Sequence, residues 1–311
     1  MAGRRIKIDE ITKKNNDERN KLLSLQVITN LKQKLMKTLS EQLTDVYEPL
    51  VPQVIEQLKL ARKETQCPFV LSVARHPSDP NTYIQDYESW YAHADVKVMF
   101  FGQEVHLWEK NEDEDFRDVQ RKYEELYEDM YIITDQGGYW DERKIASGNR
   151  FLRWGCNGIM SGIVEQILRP NYPGKRVSMI WNNISKLSTK TGGPVDPAIT
   201  HTIEHNYFNV IPAEVEILQP DIVIFLTGPG FNNKYYDYIK ENFTFTGEPT
   251  SIGNIPIDQL ARLPLKEAKL AYKTYHPNFR VPKGMKAKEL NGMFYKAIIE
   301  DIKLHISEII K

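Results

Sequence analysis

The most constraining feature of this chain is an unbroken apolar run, VKVMFF, at residues 96–101. It is rich in β-branched and aromatic residues and shows no polar alternation. Such a run reads as a strand buried on both faces, the pattern of a parallel sheet with helices above and below. The run stops at Gly102, and Gln103, Glu104 and His106 follow at once. In an open α/β sheet, ligands bind in the crevice beyond the carboxyl ends of the strands. An amide, a carboxylate and an imidazole just past such an end are therefore a candidate site. A polar loop that merely closes the strand is the other reading.

The same pattern recurs down the chain. VSMIWNNI (177–184) ends at Asn182 and Asn183, and DIVIFLTGPG (221–230) ends at Thr227 and Gly228. LAYKTYHPNF (270–279) places a strand before His276, Pro277 and Asn278. FVLSVARHP (69–77) is a further short strand candidate, with His76 at its end. Helical spacing fills the intervals at 116–131, 150–168 and 197–218, and a final amphipathic helix covers 286–311. Strands alternating with helices predict an α/β fold. The expectation is a central, mostly parallel four-stranded sheet flanked by helices on both faces.

Residues 1–65 are highly charged. They carry apolar residues at helical spacing from Leu22 to Leu39, then Pro49 and Pro52, then a second helical stretch from Val54. This predicts an N-terminal helical extension over 1–65 and an α/β domain over 66–311, with a polar insert at about 109–150. The insert contains an acidic stretch read as a solvated helix and turn signals at Gly137–Gly138 and Gly148–Asn149.

Composition excludes several classes. The 311 residues carry a net charge of −1, so no global basic field announces nucleic acid, although a local patch can still bind phosphate. Cys67 and Cys156 form no C-x-x-C pattern, which argues against a cysteine metal centre and against a disulfide framework. No apolar run reaches membrane-spanning length and no signal-peptide core opens the chain, so the expectation is a cytoplasmic monomer without a membrane partner.

Taken together, these motifs resemble those of the uracil-DNA glycosylase superfamily. Its first motif follows a buried strand and reads GQDPYH in the best-known branch; here residues 102–107 read GQEVHL. Its middle motif is a strand ending in an Asn that reads the base, the position of Asn183. A helix and strand of the type EIxxLxPxxIVxxG follow in the family, and EVEILQPDIVIFLTG (214–228) matches it. The last motif, HPSP followed by a hydrophobic residue or Arg, corresponds to His276-Pro277-Asn278-Phe279-Arg280. The likeness runs from about residue 69 to the end of the chain. Two departures stand out. Val105 and His106 replace the family's Pro and Tyr, the Tyr being the residue that excludes thymine. The cluster cysteines of the iron–sulfur branch are missing.

The resemblance implies a DNA glycosylase that hydrolyses the N-glycosidic bond of a flipped uracil or modified pyrimidine and leaves an abasic site. It implies Glu104 and His276 as catalytic residues and no cofactor or metal. Gln103, His106, Phe151 and Asn183 would bind the base, with Tyr139 and Trp140 as other aromatic candidates. Lys186, Lys190, Asn278, Phe279, Arg280 and Lys283 would contact duplex or single-stranded DNA, with Phe279 or Arg280 as the wedge that fills the vacated stack. Phe151 also fits a plain core position, Asn183 a turn cap, and the lysines a solvated face. Other readings are a defence enzyme excising bulky modified cytosines from phage DNA, a catalytically silent nucleic-acid-binding protein of the same fold, and a nucleotide- or nucleoside-processing hydrolase.

Overall fold

The computed structural model describes residues 37–63, 67–73, 87–104, 115–188, 196–279 and 286–310. Helix α1 is Leu39–Leu60, opened by Thr38 and Glu41 in a reciprocal capping box. Its apolar residues Leu43, Tyr47, Val51, Val54 and Leu58 fall on one stripe and are buried. The two prolines expected to punctuate this region lie inside the helix instead. Both are on its exposed side, where water can take the carbonyl bonds they leave open. The amphipathic stretch predicted around residues 22–36 lies outside the described residues.

Residues 67–73 are buried but form no strand, contrary to expectation. Their backbone groups bond to other partners: Phe69 N–H to Lys186 O, Leu71 N–H to the Tyr47 hydroxyl, and Val73 N–H to Ser40 Oγ. Helix α2 is Tyr87–Ala92, and strand β1 is Val96–Gly102. Helix α3, Phe116–Met130, is not solvated all round. It buries Phe116 against Tyr47 of α1 and Tyr123 and Tyr127 against Trp181, with Val119 buried between them. Strands β2 (Tyr131–Ile133) and β3 (Gly138–Trp140) form a small antiparallel hairpin around the predicted turn.

Helix α4 runs over residues 151–171. Its first turns, Phe151–Cys156, and its third segment, Ile163–Leu168, are π-helical. Strand β4 is Val177–Asn183. Helices α5 (Pro197–Tyr207) and α6 (Ile211–Leu218) replace the single helix expected there. Then come β5 (Ile222–Phe225), α7 (Lys234–Asn242), β6 (Thr250–Ser251), β7 (Leu260–Arg262), β8 (Leu270–Thr274) and α8 (Ala287–His305).

The main sheet has the order β4-β1-β5-β8-β7-β6. The four strands predicted as parallel are parallel and adjacent: β1 pairs with β4 and β5, and β5 with β8. The sheet is six-stranded, not four-stranded, because β7 and β6 extend the β8 edge in antiparallel fashion. Those additions are three and two residues long, too short to carry a period in the sequence. Side chains alternate across the strands. Asn182 faces Glu214 of α6 on one side of the sheet. Its neighbours Trp181 and Asn183 face the side where Phe151 and Tyr123 pack. From β1 the chain passes to β4 on one flank and later to β5 on the other, so the end of β1 is the point where the strand order reverses.

No helix among the described residues is long and apolar enough to cross a membrane.

Candidate functional site

Four parallel strands deliver their carboxyl ends to one edge of the sheet. At the reversal point, β1 ends in Gly102. A Cβ there would lie 2.5 Å from Asn183 Oδ1 and 3.3 Å from Phe151 Cε2. The missing side chain is what lets Asn183, at the end of β4, and Phe151, at the start of α4, close over this strand end. The Phe151 ring lies parallel to the His276 imidazole, with centroids 5.9 Å apart and planes at 18°. Gln103 donates from Nε2 to Thr227 O at 2.9 Å, tying the end of β1 to the end of β5. Gly102, Gln103, Phe151, Asn183, Thr227 and His276 thus meet although the sequence scatters them.

Asn183 is 2% exposed, and its Nδ2 is buried with no hydrogen-bond partner among the described residues. The Thr227 hydroxyl beside Gln103's anchor is in the same condition. Buried polar groups are almost always paired, so two such atoms at one strand edge are a notable concentration.

His276 has a defined protonation state. Burial lowers its imidazole to about 4. Its Nδ1 accepts a bond from the Asn278 backbone N–H at 3.1 Å. A neutral imidazole that accepts through Nδ1 carries its proton on Nε2, so His276 presents a neutral N–H donor.

Glu104 is held from an unexpected direction. Its Oε2 accepts from Lys234 Nζ at 3.0 Å and from the Tyr235 hydroxyl at 2.9 Å. Both partners sit in the first turn of α7. Burial, together with the Glu104 charge, pushes the Tyr235 phenol far up, so it stays a donor. Sequence reasoning missed Lys234 and Tyr235, because nothing local marks a helix start as the partner of a carboxylate so distant in the chain.

Lys273 was also missed. It is 3% exposed and points under the loop after β5, donating to Gly228 O at 2.6 Å and Gly230 O at 2.5 Å. Burial lowers its ammonium to about 8. Gly228 has φ 113°, a conformation that favours glycine, and it abuts the Gln103 amide.

The expected DNA contact by Lys186 is corrected. Lys186 is fully buried, and its Nζ lies 2.7 Å from Glu214 Oε2 and 2.5 Å from Asn182 Oδ1. Tyr47 and Asn182 complete the shell of Glu214. An ammonium enclosed this way cannot reach a phosphate; it holds the end of β4 to α6. Asn278 is exposed. Phe279 is half-buried, with its ring 4.2 Å from that of Tyr275. His106, Lys190, Arg280 and Lys283 lie outside the described residues, as does His76. Of the other aromatic candidates, Tyr139 is exposed and Trp140 is core.

No group of three or more metal-type side chains gathers among the described residues. Compared with known proteins, the chain matches no family model, no curated protein and no solved structure.

Proposed function

We propose that this protein is a DNA glycosylase that hydrolyses the N-glycosidic bond of a uracil or modified pyrimidine. The observation that carries the reading is the neutral His276 Nε2–H donor at the strand edge, beside Phe151 and the unpartnered amide nitrogen of Asn183. Breaking the bond between C1′ and the base nitrogen leaves the electron pair on the base and positive charge on the sugar. A neutral N–H donor aimed at a base carbonyl stabilises the departing anion without having to give up a proton, which is an oxyanion-hole role. Asn183 offers a donor to a pyrimidine edge, and Phe151 an aromatic face. Glu104 supplies the anion facing the sugar and orients the water. That water adds its oxygen to C1′, and its proton leaves to solvent or to the base.

Lys234 and Tyr235 tie down one oxygen of the Glu104 carboxylate. In this reading they fix its direction and leave the second oxygen for the water. These groups act on any pyrimidine base, so the proposed substrates include both plain uracil and bulky modified cytosines.

The test is a panel of duplex and single-stranded oligonucleotides carrying uracil or modified pyrimidines, with phage DNA containing modified cytosines, scored for alkali-labile breaks. His276→Ala and Glu104→Ala should each lower excision about 100- to 1,000-fold, the usual cost of one well-placed transition-state group. Full activity in both folded variants would overturn the assignment.

A further inference from the structure

A cleft of about 850 Å³ opens between α4, the β2–β3 hairpin and α8. The size suits a small ligand. Its walls combine the aromatic rings of Tyr139, 41% exposed, and Trp154 with the cations Arg153, Arg169 and Lys288, set against the carboxylates Glu142 and Glu165. Trp154 lines the cleft, and the Arg150 guanidinium, 4.9 Å from the ring centroid, covers one face of the ring, so a planar base stacks there by displacing that guanidinium or by taking the other face. Arg153 is paired only loosely, at 3.4 Å from Glu142, and Arg169 reaches Asp135 at 3.8 Å and Glu165. Pairs with such exposed carboxylates contribute little to stability, so a phosphate can compete for these guanidinium groups. Gly292 of α8 also lines the cleft, and a Cβ built on it meets nothing within 4 Å. The cleft borders the candidate catalytic loop, because Asn291 in its wall donates from Nδ2 to Pro277 O at 3.5 Å.

We infer that this cleft is a nucleotide site, with the base stacked on Trp154 and Tyr139 and the phosphate held by Arg153, Arg169 and Lys288. Aromatic rings interleaved with cations are the arrangement that binds nucleotides without base-specific readout. The nucleotide can come from solution, or from a DNA strand passing the catalytic edge. Only the second source rests on the glycosylase reading.

Equilibrium binding on the full chain separates these cases. The probes are the four deoxynucleoside monophosphates, the matching deoxynucleosides, inorganic phosphate, and a single-stranded oligonucleotide without a cleavable base. Trp154→Ala should weaken binding roughly 5- to 150-fold, the worth of one base–aromatic stack. Gly292→Phe should abolish it by filling the cleft, and this variant guards against a Trp154 variant that fails to fold, because replacing a helical glycine favours the helix. Monophosphates that bind more tightly than nucleosides or phosphate, with both losses, identify a free nucleotide. The same losses with the oligonucleotide alone identify a DNA strand. His276→Ala should lose excision and keep cleft binding, whereas an unmodified chain that binds the probes but excises no base counts against the glycosylase reading only. Absence of saturable binding by every probe, binding indifferent to Gly292→Phe, or phosphate binding as tightly as nucleotide would each overturn the inference.

Discussion

Replacing Lys186 by Met tests whether the middle of the molecule is organised as described. The lysine is fully buried, and its ammonium touches both oxygens of Glu214 at 2.8 and 2.7 Å. Removing it leaves the Glu214 carboxylate in the interior with only the Tyr47 hydroxyl, at 2.6 Å, and Asn182 Nδ2, at 2.9 Å, as remaining named donors. Breaking a buried pair from one side costs about 3–5 kcal/mol, because the surviving charge is uncompensated. That is a large share of the roughly 5–15 kcal/mol that holds a typical domain together. Met matches the length of the lysine stem, so the loss reports charge rather than a cavity. The assay is urea unfolding followed by circular dichroism, comparing midpoints at constant slope. Adding Glu214→Leu to Lys186→Met should recover much of the loss, since an apolar replacement of a whole buried pair is often neutral. A single-variant cost below about 1 kcal/mol, typical of a surface pair, would refute the reasoning and return Lys186 to the list of possible DNA contacts.

Other outcomes follow from the same geometry. Gly102→Ala should cripple base excision before it unfolds the chain, because the new methyl meets Asn183 Oδ1 at 2.5 Å; excision rate against unfolding midpoint checks this. His276 takes a proton near 6.5 when unfolded and near 4 when folded, so stability should fall as pH drops from 6.5 towards 4. A His276→Asn variant should lack that component, which is worth about 3 kcal/mol in the difference between the two unfolding profiles. Burial raises Glu204 to about 7 from 4.5, the opposite sign: its contribution is lost as pH rises through that window, so Glu204→Gln should gain on the wild type between pH 5 and pH 8. Phe279→Ala should slow excision from duplex more than from single strands, because only a duplex needs its vacated stack filled. Equal losses on the two substrates would remove the wedge.

The four parallel strands were legible because burial on both faces writes itself as a continuous apolar run, and Gly102, Thr227 and His276 mark where three of the runs end. The helix through Pro49 and Pro52 was not, since proline ordinarily ends a helix and only the structure shows that buried Tyr47, Val51 and Val54 carry this one through both. The edge strands β6 and β7 are too short to show a period. Lys186 illustrates the deeper limit. A lysine in a polar loop reads as a phosphate contact until a buried carboxylate from another helix is found beside it. The partners of Glu104 were illegible for the same reason, since they lie on α7. Gathering Asn183, Phe151 and His276 required the strand order, which pattern alone does not supply.

The most direct test of the central claim is the identity of the products. A substrate oligonucleotide is incubated with the full chain in heavy-oxygen water, and the products are resolved by mass spectrometry. The glycosylase account predicts an intact free base without label and an abasic sugar carrying one heavy oxygen at C1′, both lost in His276→Ala. Absence of free base from every pyrimidine tried, or label in the base or in a cleaved phosphodiester, would contradict it.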